Sequence, residues 1–340
     1  YVVLSKTTGD RPEYQFPDGN IKPVRRLGPP RIQEHIGTLR LAAHLKATAI
    51  VVEGMALQGE TLFASERMLR ATHAVITNVR PDHAESMGEG RKGVAGTLSL
   101  MLPPGRPLFT SAEEGAEEVD RHGRLVGCTC HSVGTEPETS GTPLQDNDTA
   151  DLLGQPDRLA RVIMSYLNAS HDRGGVGKSL KDSDGCPAPR PISLKARGIE
   201  FIWLDLFSVN DVDSSRLWLD TLWDSLPSHV WGSALLATRQ DRPLRTVAFM
   251  DWLKHEPRFR LLAPAGWHAW AAWRMAPARS MFLFNPVCAP EALLNRLDRV
   301  RKGEDRQACP LVVVGFGNTH GYGERWRAMI SQTGNTVYAG

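Results

Sequence analysis

The chain has 340 residues, 41% hydrophobic and 23% charged, with 40 Lys and Arg against 38 Asp and Glu. That length allows two domains with ample cores, and a net charge of +2 gives no reason to expect nucleic acid as a partner. Five scattered cysteines form no disulfide framework and suit a reducing compartment; no signal peptide is visible and no run reaches the roughly eighteen apolar residues that span a bilayer, so the chain as written reads as soluble.

Strand and helix alternate along the chain without internal repeats. Residues 2–4 read as a strand, and residues 32–46 as an amphipathic helix with Ile36, Leu39, Ala43 and Leu45 leaning to one side. Strands follow at 47–52 and 73–77, separated by a helix at 60–71. Residues 106–110 form a further strand, with Ser111 as N-cap of an acidic helix over 112–121. Residues 125–130 read as the next strand. There Cys128, Cys130 and His131 are alternating strand residues rather than a zinc clip, which needs four ligands. Residues 136–148 are a loop, 157–167 a helix, and the Gly, Asp and Pro cluster of 172–191 marks an interdomain hinge. Beyond it come strands at 200–207, 232–238, 258–262, 281–284 and 311–314, with helices at 214–226, 243–252 and 289–301. Residues 311–314 are the continuously apolar, buried parallel type.

The chemistry-bearing residues gather where strands end. The apolar run His73-Ala74-Val75-Ile76 leads into Asn78, Asp82 and His83, and the strand at 47–52 leads into Glu53. Read as neighbours, these two strands deliver oxygen and nitrogen donors to one sheet edge, where open α/β sheets bind ligands, and they suggest a Mg²⁺-nucleotide site. A strand-end Asp also serves as turn former or cap. In the second half, three strands end in Asn210-Asp211, in Arg239 to Arg242, and in Asn318 to His320. Asp241 and Arg242 read either as ligand contacts or as an ion pair that fixes a turn. The loop Arg173-Gly174-Gly175-Val176-Gly177-Lys178-Ser179 lacks the Walker spacing, because Asp172 stands where the first glycine belongs. It reads as a basic linker, or as a loop touching phosphate or a polyanionic product.

Six motifs in order resemble the catalytic subunit of the poly-γ-glutamate synthase (PgsB/CapB) family, a branch of the Mur-ligase-like ATP-dependent amide ligases. They are Lys6-Thr7-Thr8-Gly9, Glu53-Gly54-Met55-Ala56, Asn78-Val79 with Asp82-His83 and Met87-Gly88, Phe207 to Asp211, Arg239 to Arg242 with Arg245-Thr246, and Gly315 to Gly321. The resemblance implies an α/β fold with a mostly parallel sheet: a central nucleotide-binding domain over 1–185, a hinge at 186–198, and a Rossmann-like C-terminal domain over 199–340. Family members carry a membrane-anchoring segment and a glycine-rich P-loop ahead of the position of Tyr1. The chain therefore reads as N-terminally truncated, and as written it is expected to bind ATP weakly and not to turn it over. No counterpart of the carbamylated lysine of many Mur ligases is found, since Lys92 lies too close to His83.

What the resemblance implies for function is ATP-dependent γ-amide formation between glutamates through an acyl phosphate, using Mg²⁺ or Mn²⁺. Glu53 and His83 are the implied metal ligands, and Lys6, His83, Asn210, Asp211 and His320 the implied catalytic residues. Thr7, Thr8, Asn78, Asp82, Arg239, Asp241, Arg242 and Asn318 would contact the nucleotide or substrate carboxylates. The implied partners are glutamate, the poly-γ-glutamate chain and small membrane subunits, with a homo-oligomer as a further expectation and the cytoplasmic face of the cell membrane as the location. Another Mur-type acid–amino-acid ligase, or a non-catalytic scaffold subunit lacking the P-loop, is the alternative.

Overall fold

Short apolar runs flanked by Gly, Asp and Pro become strands here, and the longer mixed runs between them become helices. The computed structural model describes residues 2–9, 12–26, 28–81, 83–111, 115–133, 158–168, 189–275, 289–304, 309–333 and 335–337. Asp82, the loop at 136–148, the glycine-rich segment at 173–179 and the expected strand at 281–284 lie outside the described residues. The described residues divide into two compact units, 2–133 with 158–168, and 189–337.

The first unit holds two sheets. β1 (Val3–Lys6), β2 (Glu13–Gln15), β3 (Ile21–Pro23) and β4 (Ala49–Val52) line up in the order β3-β2-β1-β4. β1 runs parallel to β4, with Val3 opposite Ala49 and Lys6 opposite Val52, while β1, β2 and β3 are antiparallel. α1 (Glu34–His44) follows the hairpins. The second sheet is parallel, β5 (Ala74–Ile76), β6 (Pro107–Ser111) and β7 (Thr129–Val133). Helices α2 (Gly59–Leu69), α3 (Ala84–Met87), α4 (Gly90–Leu98), α5 (Ala116–Leu125) and α6 (residues 158–168) complete the unit. Ile76, Val79, Met87, Val94, Leu108 and Val119 form the core beside the second sheet.

Three sequence expectations change. The strands at 47–52 and 73–77 are not hydrogen-bonded neighbours: β4 pairs with β1 and β5 with β6, so the two lie in separate sheets. Ser111 is no helix cap; it ends β6 and donates its hydroxyl to Thr77 O at 2.7 Å, while Gly115 precedes the helix. Leu125 ends α5 rather than opening a strand, and the chain turns at Gly127, whose φ is +82°, before β7 begins at Thr129.

The second unit is built on one six-stranded sheet. Its strands are β8 (Ile192–Ala196), β9 (Ile199–Asp205), β10 (Trp231–Thr238), β11 (Phe259–Gly266), β12 (Leu311–Phe316) and β13 (Asn335–Val337), in the order β11-β10-β12-β9-β8-β13. The first four in that order are mutually parallel, and β8 and β13 are antiparallel additions. Residues 192–196, inside the expected hinge, thus belong to this sheet, joined to β9 by a two-residue turn with positive φ at Arg197 and Gly198. Five helices accompany it among the described residues: α7 (Val212–Asp224), α8 (Pro243–Leu253), α9 (Ala269–Met275), α10 (Pro290–Glu304) and α11 (Glu324–Ser331).

All eight residues of β10 are buried, with the hydroxyls of Ser233 and Thr238 satisfied by Val312 O and Ala265 O. Alternate side chains feed two cores: Trp203, Leu235 and Val313 on one face with Leu297 and Trp326, and Leu204, Ala234 and Val312 on the other with Phe249 and Leu253. Trp203 stacks on Trp326 with ring centroids 5.3 Å apart.

Candidate functional site

Four parallel strands of the second unit end at one edge, and their loops bring the expected polar residues together there. Asn318 follows β12 and is buried. Its amide donates to Ala237 O in β10 at 2.9 Å, and its Oδ1 accepts from Arg245 Nη1 at 3.1 Å. The same Nη1 donates to Asn210 Oδ1 at 3.0 Å, so one guanidinium in the first turns of α8 ties the loops after β9 and β12. Gly317 makes this approach possible. Its φ is +97°, and a Cβ there would lie 2.5 Å from Ala237 O.

The loop after β10 is rich in arginine. Arg239 grips both oxygens of Asp241, at 2.9 and 2.8 Å, whereas Arg242 Nε lies 3.8 Å from the same carboxylate. Burial works to raise the Asp241 carboxyl, and the Arg239 hydrogen bonds outweigh it, leaving the group below the ordinary carboxylate value. The turn is therefore fixed chiefly by Arg239 with Asp241, and Arg242 adds the expected ion pair to the same carboxylate at longer range. Arg239, Arg242 and Arg245 against Asp241 make the loop after β10 and the start of α8 cationic, suited to carboxylate or phosphate. Arg245 carried no assigned role in the sequence reading. Its signal was the spacing from Arg242, which places both on one side of the start of α8.

Asp211 has a local use. It is the N-cap of α7, accepting from Ser214 N at 2.7 Å and from Ser214 Oγ at 2.6 Å. Asp211→Ala is expected to cost about 1 kcal/mol of stability, and Asp211→Ser to restore most of it, read from denaturant midpoints. An activity loss far beyond that stability loss would give Asp211 a ligand contact as well. His320 stands in the loop after β12, with Nδ1 2.7 Å from Glu324 Oε1.

In the first unit, strand period decides the fate of Lys6. It shares a face of β1 with Leu4, and both are buried. Its Nζ lies 3.2 Å from Glu34 Oε2, on the first residue of α1. Buried in this way, Lys6 braces α1 against β1. Arg26 grips the same carboxylate at 2.8 and 2.9 Å and reaches Thr8 Oγ1 at 3.4 Å. Burial acts to raise the Glu34 carboxyl, but Arg26 and Lys6 bring it below its ordinary value. Thr8 N in turn donates to Glu53 Oε2 at 2.6 Å, so the loop after β1 meets the tip of β4. Glu53 is exposed, and among the described residues nothing donates to its other oxygen. Thr7 closes the hairpin with Glu13, and Asn78 is exposed beyond β5 with its amide 3.4 Å from Thr77 Oγ1. His83 has φ of +54° and leads into α3, its Nδ1 3.9 Å from Glu85. Among the described residues no three His, Cys, Asp or Glu side chains converge as a metal cluster.

Beside Lys6, His35 is buried with no hydrogen-bond partner on either ring nitrogen among the described residues. Burial, reinforced by the Lys6 charge and opposed by Glu34, holds the imidazole below its ordinary value. Unfolding then takes up a proton, so stability is lost as pH falls below about 6.5, where the unfolded side chain protonates. His35→Leu is expected to raise the melting temperature and to flatten its fall between neutral and mildly acidic pH. An unchanged slope would show that another group carries that dependence.

Residues 192–333 match a family model described as the poly-gamma-glutamate synthase CapB C-terminal domain. The chain is 33% identical over 268 residues to the capsule biosynthesis protein CapB of Bacillus anthracis, covering 73% of this chain and 54% of that protein. It thus spans about half the length of that relative. A bifunctional folylpolyglutamate synthase/dihydrofolate synthase, solved with Mn, AMPPNP and L-glutamate bound, superposes with a TM-score of 0.58 at 12% identity, over 96% of this chain and 82% of the other. E. coli FolC, solved with DHPP and ADP, gives 0.55 at 13% identity over 98% and 83%. MurF from Acinetobacter baumannii gives 0.55 at 15% over 84% and 65%. At such identities these structures share the fold.

Proposed function

We propose that this chain, whose residues 192–333 belong to the CapB C-terminal domain family, catalyses ATP-dependent γ-amide bond formation between glutamates in poly-γ-glutamate capsule synthesis. The observation that carries this reading is the 33% identity to CapB over 268 residues, more than either unit contains. The arginines of the loop after β10 and the start of α8 support it, because both substrates of such a reaction are anionic.

A carboxylate is a poor electrophile. Its oxygen attacks the γ-phosphorus of ATP, ADP leaves, and the resulting acyl phosphate is attacked by the amine of the next glutamate, releasing phosphate. Arg242 and Arg245 would hold carboxylate or phosphate oxygens at their edge, and Asn210 and Asn318 fix the Arg245 plane. Glu53 fits a Mg²⁺ shell through its uncommitted oxygen. His83, a nitrogen donor, fits Mg²⁺ less well and Mn²⁺ better. Such a cation would neutralise phosphate charge when bound. Asn78 would hold the same loop. Association with membrane subunits is part of the proposal; among the described residues no helix is long and apolar enough to cross a membrane.

The test supplies the protein, purified together with whatever its gene encodes ahead of Tyr1, with ATP, Mg²⁺, glutamate and a short γ-glutamyl oligomer, and follows products by mass. One glutamyl addition per ADP is expected. ADP release independent of glutamate, or no extension, would overturn the reading.

A further inference from the structure

The turn after β12 carries a histidine–carboxylate pair whose geometry exceeds what folding requires. His320 Nδ1 lies 2.7 Å from Glu324 Oε1, and the other oxygen of Glu324 accepts from Gly321 N at 3.2 Å. The carboxylate is thereby fixed at both ends within one turn. An ionised carboxylate only accepts, so Nδ1 carries the hydrogen and proton exchange falls to Nε2. The platform is rigid. Asn318 anchors the start of the turn to β10, Tyr322 and Trp326 are buried, and a Cβ on Gly323 would collide with Asn318 O. One turn further along α11, Arg327 grips Asp205 at the end of β9, at 2.7 and 3.0 Å. The imidazole itself stays 42% exposed at the same strand edge as Arg245. An exposed pair of this kind contributes only about 0–1 kcal/mol to stability, so its fixed geometry serves to orient the ring.

We propose that His320 is the general base of the amide-forming step and Glu324 the positioning residue that orients it. This rests on the ligase reading above. The glutamate amine is an ammonium in neutral water and must lose one proton to become a nucleophile. A second proton leaves the nitrogen as the N–C bond forms and the C–O bond to phosphate breaks, the phosphate departing with that electron pair. His320 Nε2 accepts the first of these protons and passes it to solvent, while Glu324 stabilises the imidazolium and the departing phosphate takes the second.

Hydroxylamine separates this step from carboxylate activation, because it is already neutral near pH 7 and needs no base to free its lone pair. In the parent protein both glutamate and hydroxylamine should capture the activated carboxyl with ATP consumption. His320→Asn is expected to slow glutamate coupling about 100-fold or more while hydroxamate formation stays within about threefold. Added imidazole should restore part of the coupling. Glu324→Gln should show the same split at smaller size, with Glu324→Asp closer to the parent. Equal losses with both nucleophiles would overturn the assignment, as would normal coupling in His320→Asn. Absence of ATP-dependent hydroxamate in the parent would instead strike the ligase reading itself, and the base with it. Since Glu324 and His320 are both exposed, either variant suffices if the other fails to fold.

Discussion

Arg245→Met should lower kcat/KM for glutamate coupling about a hundredfold, with the melting temperature changing little. The guanidinium uses Nη1 to hold Asn210 and Asn318 together at the strand edge. Removing one member of such a hydrogen-bonded charge contact to an anionic ligand typically costs about 2–5 kcal/mol, and about 2.7 kcal/mol corresponds to a factor of a hundred. Arg245→Lys restores the charge but not the planar fork, so it should recover only part of the loss. Separate KM values for ATP and glutamate identify which anion the edge holds. If Arg245→Met leaves the kinetics of the folded fraction intact and lowers the melting temperature by several degrees, the residue is only a brace between loops.

Glu53→Gln should cut kcat by about two or more orders of magnitude without loosening the fold, in line with loss of a charged group acting in the transition state. The substitution separates two roles of one side chain. A glutamine oxygen still accepts from Thr8 N, which holds the hairpin tip, but the charge available to a cation is gone. Thermal melts should overlay while the dependence of rate on Mg²⁺ moves to higher concentration. Near-normal turnover at saturating Mg²⁺ would leave Glu53 as a partner of Thr8 alone.

Much of the second unit was legible because its strands are buried on both faces and read as unbroken apolar runs, with polar residues beginning where they leave the sheet. Asn318 and Arg239 stand just past the ends of β12 and β10, where that rule put polar residues. The expected hinge failed at β8, whose mixed run Ile192-Ser193-Leu194-Lys195-Ala196 lies beside the Pro-rich segment and pairs antiparallel. In the first unit β3 shows no alternation, since it is exposed throughout. Helix α4 was missed because three glycines oppose helix propensity; it forms through the packing of buried Val94 and Ala95 and the close backbone approach of Gly93 to Gly88. The burial of Lys6 is written in its register with Leu4 rather than in its charge. The role of Asp211 was written locally, as an aspartate three residues before Ser214 at the start of an apolar-periodic run.

The central claim is that a carboxylate is activated by phosphoryl transfer, and oxygen tracing tests it most directly. A γ-glutamyl acceptor labelled with ¹⁸O in its reacting carboxylate is incubated with ATP, Mg²⁺ and glutamate, and the released species are analysed by mass. The account predicts ADP and inorganic phosphate carrying one ¹⁸O per amide formed. Label appearing in AMP with release of pyrophosphate, or amide formation with unlabelled phosphate, would contradict it.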